Sequence, residues 1–181
     1  MRDAHGRTID YIRLSVTDRC NLRCTYCMAE DMQFLPRRDL LTFEEIETLC
    51  AHLVTRGVRR IRLTGGEPLV RKGIVDLVQR IAALSAHGLE EVTLTTNGTR
   101  LPEMANDLAE AGIRRVNISL DTLDRARFAE LTRRAEFDRV VAGIDAALAA
   151  GIAVRINTVA MNGINEREMV DLLAWSGRRG C

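Results

Sequence analysis

Short runs rich in β-branched residues alternate with longer amphipathic stretches along the chain, and this alternation limits the fold more than any other feature. No two strand-like runs are separated by the short turn of a β-hairpin. Successive strands without hairpins need crossover connections, which are right-handed and join parallel strands. The predicted strands are Tyr11–Val16, Arg59–Thr64, Glu91–Thr96, Arg114–Leu120 and Ile152–Ala160.

The stretches between the predicted strands carry apolar residues at helical spacing. Thr42 and Glu45 have the spacing of a capping box, and Gly57 stands where the first helix should end. Asn165 is expected to cap the last helix, with Glu168 as its capping partner. The other predicted helical segments are Thr42–Arg56, Gly73–Ala86, Pro102–Gly112, Arg125–Leu131 and Phe137–Ala150.

This pattern predicts the α/β class, with five strand–helix units in one domain over residues 1–181. Periodicity alone does not separate an open parallel sheet from a barrel. The sequence contains no linker or low-complexity segment that would divide it into two domains.

The charge balance argues against a nucleic-acid or membrane partner. Twenty-six Lys and Arg residues nearly cancel 25 Asp and Glu residues. No apolar run approaches the roughly 20 residues of a membrane span, and the first ten residues lack the apolar core of a signal peptide. A cytoplasmic location is expected, where the five cysteines would be reduced thiols.

Polar and glycine-rich segments directly follow four of the predicted strands. In parallel α/β folds, active sites form at the edge where the strands end, so these segments should meet in one cavity. The four segments are Asp18–Cys27, Gly65–Pro68, Thr95–Gly98 and Ser119–Asp121.

Three of the cysteines, Cys20, Cys24 and Cys27, lie within eight residues on one loop. Three thiolates so close together can hold a soft metal centre, and the spacing favours an iron–sulfur cluster. A structural zinc site is the alternative, but it would need a fourth ligand, and none of the three histidines has zinc-finger spacing.

Two strings carry a family resemblance: Cys-x3-Cys-x2-Cys with Tyr26 before its last cysteine, and Gly65-Gly66-Glu67-Pro68 after the second strand. In these residues the chain resembles the radical S-adenosylmethionine (SAM) superfamily. Within it, the resemblance is to the GTP 3′,8-cyclase family and extends from about Gly6 to Trp175. The segments that carry this more specific resemblance are Ile12–Met28, Arg62–Leu69, Leu94–Gly98 and Asn117–Asp121.

The resemblance implies a partial (βα) barrel of the radical SAM type and a 4Fe-4S cluster held by three cysteines, with one iron open to SAM. It also implies positions that contact SAM and GTP. The cluster ligands are Cys20, Cys24 and Cys27; the SAM contacts are Tyr26, Gly66, Glu67 and Ser119; the GTP contacts are Arg13, Arg62, Thr95 and Arg155. The family usually has lysine in place of Arg155 and proline in place of Ala29, and arginine and lysine meet phosphate differently.

The implied reaction begins with cleavage of SAM to a 5′-deoxyadenosyl radical that abstracts hydrogen from the substrate. GTP is rearranged to (8S)-3′,8-cyclo-7,8-dihydroguanosine 5′-triphosphate, the first step of molybdenum cofactor (molybdopterin) biosynthesis. The implied partners are GTP and an electron donor of unidentified kind; a homodimer is left open.

The strand arginines support an anion site independently of the resemblance. Alternation places Arg13 with Ser15, Arg62 with Thr64, and Arg155 with Asn157. Buried parallel strands usually read as continuous apolar runs, so polar faces on three strands predict a wet interior that receives an anion such as a nucleoside triphosphate. The alternative is that these strands fray and their arginines reach solvent.

Each of the other segments has a plainer interpretation. The glycine pair and Thr95–Gly98 could be ordinary turns, and Ser119 and Asp121 could only cap the next segment. Tyr26 could pack over the cluster without touching SAM. Cys50 lies on an apolar helical face and is expected in the core.

Three functions remain open: the GTP cyclase, a radical SAM enzyme acting on a peptide or another small molecule, and an inactive cluster- or zinc-binding module. The resembled fold has six strand–helix units, so we expect an incomplete core domain that stops before the sixth and lacks the family's C-terminal second cluster. Such a chain is expected not to complete the reaction alone.

Overall fold

The computed structural model describes residues 2–181 and contains one five-stranded sheet. Neighbouring strands pair in parallel, and their order across the sheet follows their order in the chain. The predicted α/β class with five strand–helix units is therefore confirmed. The strands are β1 (Tyr11–Ser15), β2 (Arg60–Thr64), β3 (Glu91–Thr96), β4 (Arg115–Ser119) and β5 (Ala153–Asn157).

Six α-helices connect or follow the strands. Short 3₁₀ segments lie at Arg37–Asp39, Pro68–Val70, Ala83–His87 and Glu166–Glu168. The helices are α1 (Phe43–Thr55), α2 (Ile74–Ala82), α3 (Leu101–Glu110), α4 (Arg125–Thr132), α5 (Phe137–Ala149) and α6 (Met169–Arg178).

Of the two helix caps predicted from the sequence, the structure contains one. The predicted capping box is present: the Thr42 hydroxyl accepts from Glu45 N–H, and the Glu45 carboxylate accepts from Thr42 N–H. The predicted cap at Asn165 is wrong. Its side chain instead donates to the carbonyls of Asp121 and Val159 and accepts from Met161 N–H, so it ties loops together.

The two faces of the sheet differ sharply in polarity. Ile61, Leu63, Leu94, Val116 and Ile118 are fully buried on one face, where they share a single core cluster with helix residues. Strands in chain order with right-handed crossovers carry their helices on this same face. The other face is left to line the interior of a partial barrel.

The polar face follows the strand register. Arg13 of β1 pairs with Arg62 of β2, which pairs with Thr93 of β3. One row nearer the strand ends, Asn117 of β4 lies between Thr95 and its β5 neighbour Arg155. The predicted alternation of polar side chains on three strands is therefore correct.

Cys50 lies in the core with no exposed surface, as expected, and burial raises the pKa of its thiol from 9.0 to about 11. The folded protein thus keeps the proton to a higher pH than the unfolded chain does. Unfolding releases that proton between pH 9 and 11, so this contribution to stability is complete below pH 9 and is lost as pH rises through 11.

We expect the free energy of unfolding of the metal-free protein to fall more steeply between pH 8 and 11 than that of Cys50→Ala, by up to about 3 kcal/mol. Urea unfolding under reducing conditions at several pH values measures both slopes. Parallel slopes would show that Cys50 ionises as freely in the folded protein as in the unfolded chain.

Candidate functional site

The ends of the strands surround a cavity of about 260 Å³. All four predicted segments after the strands contribute to its lining, which confirms that they meet at one edge of the sheet. Of the predicted site residues, Glu67, Arg62 and Arg155 are absent from the lining. Those that line it are Arg13, Cys20, Cys24, Tyr26, Cys27, Gly66, Thr95 and Ser119.

The cysteine loop is folded tightly and fixed to a distant helix. The N–H groups of Cys27 and Met28 both donate to the Cys24 carbonyl, at 2.9 and 3.0 Å. Two further N–H groups, of Arg23 and Thr25, donate to the last carbonyls of α4 at 3.0 and 2.8 Å. The sequence gave no signal of this docking, because α4 begins about a hundred residues after the loop.

Cys20 and Cys24 are partly buried, whereas Cys27 is exposed. Burial raises the pKa of Cys20, and it raises that of Cys24 to about 11, with the neighbouring Cys20 and Cys27 adding to the shift. Because the thiolate is the form that binds metal, a bound centre must displace these protons. Leu22 N–H already points at the Cys20 sulfur, at 3.4 Å.

The cysteine loop supplies three thiol donors to the cavity. Within residues 2–181, no three His, Cys, Asp or Glu side chains are arranged as ligands of one metal ion. A 4Fe-4S cubane makes a different demand, because each cysteine binds a different iron. Three thiols on one loop line one cavity, and two N–H donors are directed at the sulfur of Cys20, which is a donor set that such a cluster can use.

Gly65 and Gly66 let two backbone segments approach closely. Gly66 N–H donates to the Thr17 carbonyl at 2.8 Å, which joins the end of β2 to the start of the cysteine loop. A Cβ on Gly66 would lie 2.5 and 2.6 Å from the carbonyl oxygens of Arg19 and Asp18. The glycines are therefore more than an ordinary turn: they bring the cysteine loop against the second strand.

Glu67 joins the turn after β2 to the turn after β3. Glu67 is 1% exposed, and its carboxylate accepts from Leu69 N–H, the Thr96 hydroxyl and Asn97 N–H. Burial raises the pKa of this carboxyl, and the three hydrogen bonds act against that shift. These three bonds use three of the roughly four acceptor sites of the carboxylate, and the predicted contact with SAM stays a prediction.

Tyr26 is fixed by a partner that the sequence did not reveal. Its hydroxyl donates to Asp121 Oδ2, and Asp121 Oδ1 accepts from Val159 N–H at 2.9 Å. Burial and the adjacent Asp121 carboxylate raise the pKa of Tyr26 well above its usual range. Asp121 therefore joins the cysteine loop to the ends of β4 and β5. It does not cap α4, since Asp124 does so.

Arg13 and Arg62 lie side by side on the polar face. The Arg62 guanidinium lies over the Tyr11 ring, with its Cζ 5.4 Å from the ring centroid. Among residues 2–181, the buried Nε of Arg62 has no hydrogen-bond partner. Arg115, which the sequence analysis missed, belongs to the same row but pairs with Glu91 through two hydrogen bonds. Strand alternation back from Asn117 could have found it.

Comparison with known proteins agrees with this geometry. Residues 14–176 match the family model of the Radical SAM superfamily. Two solved structures share the fold. Streptococcus suis SuiB bound to S-adenosylmethionine has a TM-score of 0.79 at 20% identity, over 94% of this chain and 38% of SuiB. Methylornithine synthase has a TM-score of 0.72 at 21% identity, over 92% of this chain and 50% of that chain. The chain belongs to the radical SAM superfamily.

Within the superfamily, the similarity to one enzyme is much higher. The chain is 54% identical to GTP 3′,8-cyclase of Mesorhizobium japonicum, over 99% of this chain and 55% of that protein. It is 55% identical to the Bradyrhizobium diazoefficiens enzyme, over 97% of this chain and 52% of that protein. The chain spans about half the length of these curated relatives.

In residues 2–181, no helix is long and apolar enough to cross a membrane.

Replacing Gly66 with alanine should destabilise the protein by about 1–3 kcal/mol, because the new Cβ would overlap two backbone carbonyls. Gly177→Ala is the matched control: it lies in α6 with open space around it and should stabilise by about 0.5–1 kcal/mol. Chemical denaturation of both variants measures the difference. Equal stability of Gly66→Ala and the parent would mean that the close approach is absent in solution.

Proposed function

We propose that this chain forms the cluster- and SAM-binding core of a GTP 3′,8-cyclase. That enzyme converts GTP to (8S)-3′,8-cyclo-7,8-dihydroguanosine 5′-triphosphate, the first step of molybdenum cofactor biosynthesis. One observation carries the proposal: the three-cysteine loop and Arg13 line the same cavity, and Arg62 lies beside Arg13 on the adjacent strand with its buried Nε unpartnered among the described residues. The identity to GTP 3′,8-cyclases supports it independently.

In this proposal Cys20, Cys24 and Cys27 hold a 4Fe-4S cluster, and the space beside them receives SAM. When bound and reduced, the cluster supplies the electron that cleaves SAM and so starts the radical reaction. The SAM side of the cavity is bounded by Gly66, Ser119 and Tyr26. Asp121 accepts from the Tyr26 hydroxyl and so holds this side chain at the wall of the cavity.

Glu67 acts indirectly in the same proposal. Its buried carboxylate fixes the turn after β2 to the turn after β3, and it thereby holds the Gly66 backbone against the cysteine loop. This is a positioning role, distinct from the ammonium contact that the family resemblance implies.

The substrate proposal rests on charge. Among the described residues, Arg13, Arg62 and Arg155 form no ion pair, whereas Arg115 on the same face is neutralised by Glu91. Arg13 and Arg62 are neighbours on β1 and β2, and Arg155 lies on the same face at β5. Unneutralised guanidinium groups attract a polyanion and can donate several hydrogen bonds to phosphate oxygens. Thr95, in the next row, adds a hydroxyl toward the cavity. A triphosphate matches this arrangement of charge.

Anaerobic reconstitution with iron and sulfide should load about four irons per chain, because three thiolates need a cubane to complete their coordination. Alanine in place of Cys20, Cys24 or Cys27 should abolish the intact cluster. Alanine in place of the core thiol Cys50 should leave it in place. Iron analysis and electron paramagnetic resonance measure the outcome. Tightly bound zinc, with no cluster after reconstitution, would contradict the cluster assignment.

Removing Arg13, Arg62 or Arg155 should weaken GTP binding about tenfold or more, since a hydrogen bond to a charged group contributes roughly 1.5–3 kcal/mol. Arg125→Ala is the control, because Arg125 is exposed and pairs with Asp138 away from the polar face. Calorimetry at fixed ionic strength compares the dissociation constants. If all four variants bind GTP as the parent does, the arginines do not recognise the triphosphate.

A further inference from the structure

Asn97 follows β3 directly and points its side chain at the cysteine loop. It is 9% exposed, and its Nδ2 lies 2.9 Å from Asn21 Oδ1 and 3.8 Å from the sulfur of Cys20. An amide nitrogen carries two hydrogens, so both are accounted for by this loop. A distance of 3.8 Å is within hydrogen-bonding range for a sulfur acceptor.

The orientation of the Asn97 amide is determined by its other end. Its Oδ1 accepts from Thr99 N–H at 3.1 Å and from the Thr99 hydroxyl at 2.7 Å. A backbone N–H can only donate, so the oxygen must face Thr99 and the nitrogen must face the cysteines. Asn21 Nδ2 donates to the same hydroxyl at 2.8 Å, which closes a ring of hydrogen bonds.

A hydrogen bond from the Asn97 backbone also holds this ring in place. Asn97 N–H donates to the carboxylate of Glu67 at 2.6 Å, and Glu67 is almost fully buried. The backbone of Asn97 is therefore held by the end of β2, and its side chain by Thr99. An amide fixed at both ends keeps its N–H directed at the Cys20 sulfur with little freedom to turn away.

We propose that Asn97 is a positioning residue that sets the reduction potential of the cluster, by donating an N–H···S hydrogen bond to Cys20. The inference rests on the proposed function, because Cys20 must be a cluster ligand. Reduction adds negative charge to the cluster and its thiolates, and hydrogen bonds to the sulfurs stabilise that charge. Loss of the Asn97 donor therefore makes the cluster harder to reduce.

Asn97→Ser is the informative variant. A serine oxygen can still accept from Thr99 N–H in a turn of the same kind, but the shorter side chain removes the donor to Cys20. Thr99→Val is the matched control, because it breaks the ring at the hydroxyl while leaving the Asn97 amide and Thr99 N–H in place. Both are reconstituted anaerobically and titrated without SAM, with electron paramagnetic resonance reporting the reduced cluster.

At a fixed solution potential, the ratio of reduced to oxidised cluster should fall about tenfold in Asn97→Ser, a shift of about 59 mV to more negative potential. Thr99→Val should stay within about twofold of the parent. An unshifted Asn97→Ser, an equal shift in both variants, or a folded Asn97→Ser that holds no cluster would each overturn the inference. A parent without any cluster would instead overturn the proposed function, so the two failures are distinguishable.

Discussion

Each strand of the sheet lies beside the strand that precedes it in the chain, and the rest of the molecule follows from that arrangement. Right-handed crossovers between such strands pack connecting helices against one face, where the apolar side chains of both layers are buried together. The opposite face carries the polar side chains of Arg13, Arg62 and Asn117 outside that core. The same arrangement sends every post-strand loop to one edge. Binding residues and a cysteine loop from distant parts of the chain thus share one cavity.

Within that edge, a few polar contacts turn separate loops into one unit. Glu67 holds together the turns after β2 and β3, and Asn97 continues the connection to the cysteine loop. On the other side, Asp121 connects Tyr26 to the segment after β5. Buried groups with all their hydrogen bonds made are rigid, and rigidity matters where a metal centre and two substrates must meet. The carboxylates at this edge are therefore best understood as supports for the loops.

The sequence predicted those features whose cause is local. Hydrophobic periodicity located the five strands to within a few residues, and the capping box at Thr42 depends on a residue only three positions away. Alternation also placed the strand arginines on one face correctly. The missed features all involve long separations: Tyr26 with Asp121, Glu67 with Asn97, and the cysteine loop with α4. A single sequence carries no signal of such contacts. Asn165 was misassigned for the same reason, since its partners lie in other loops.

The stacking of Arg62 on Tyr11 has a consequence for conformational entropy. An exposed arginine samples many rotamers, and immobilising such a side chain on binding costs about 0.5–1.5 kcal/mol. Arg62 is only partly exposed and lies against an aromatic ring, so much of its rotamer freedom has already been lost on folding. Arg13 and Arg155 are exposed and retain that freedom. Of the three side chains, Arg62 therefore loses the least conformational entropy when an anion binds, so less of its interaction energy is offset.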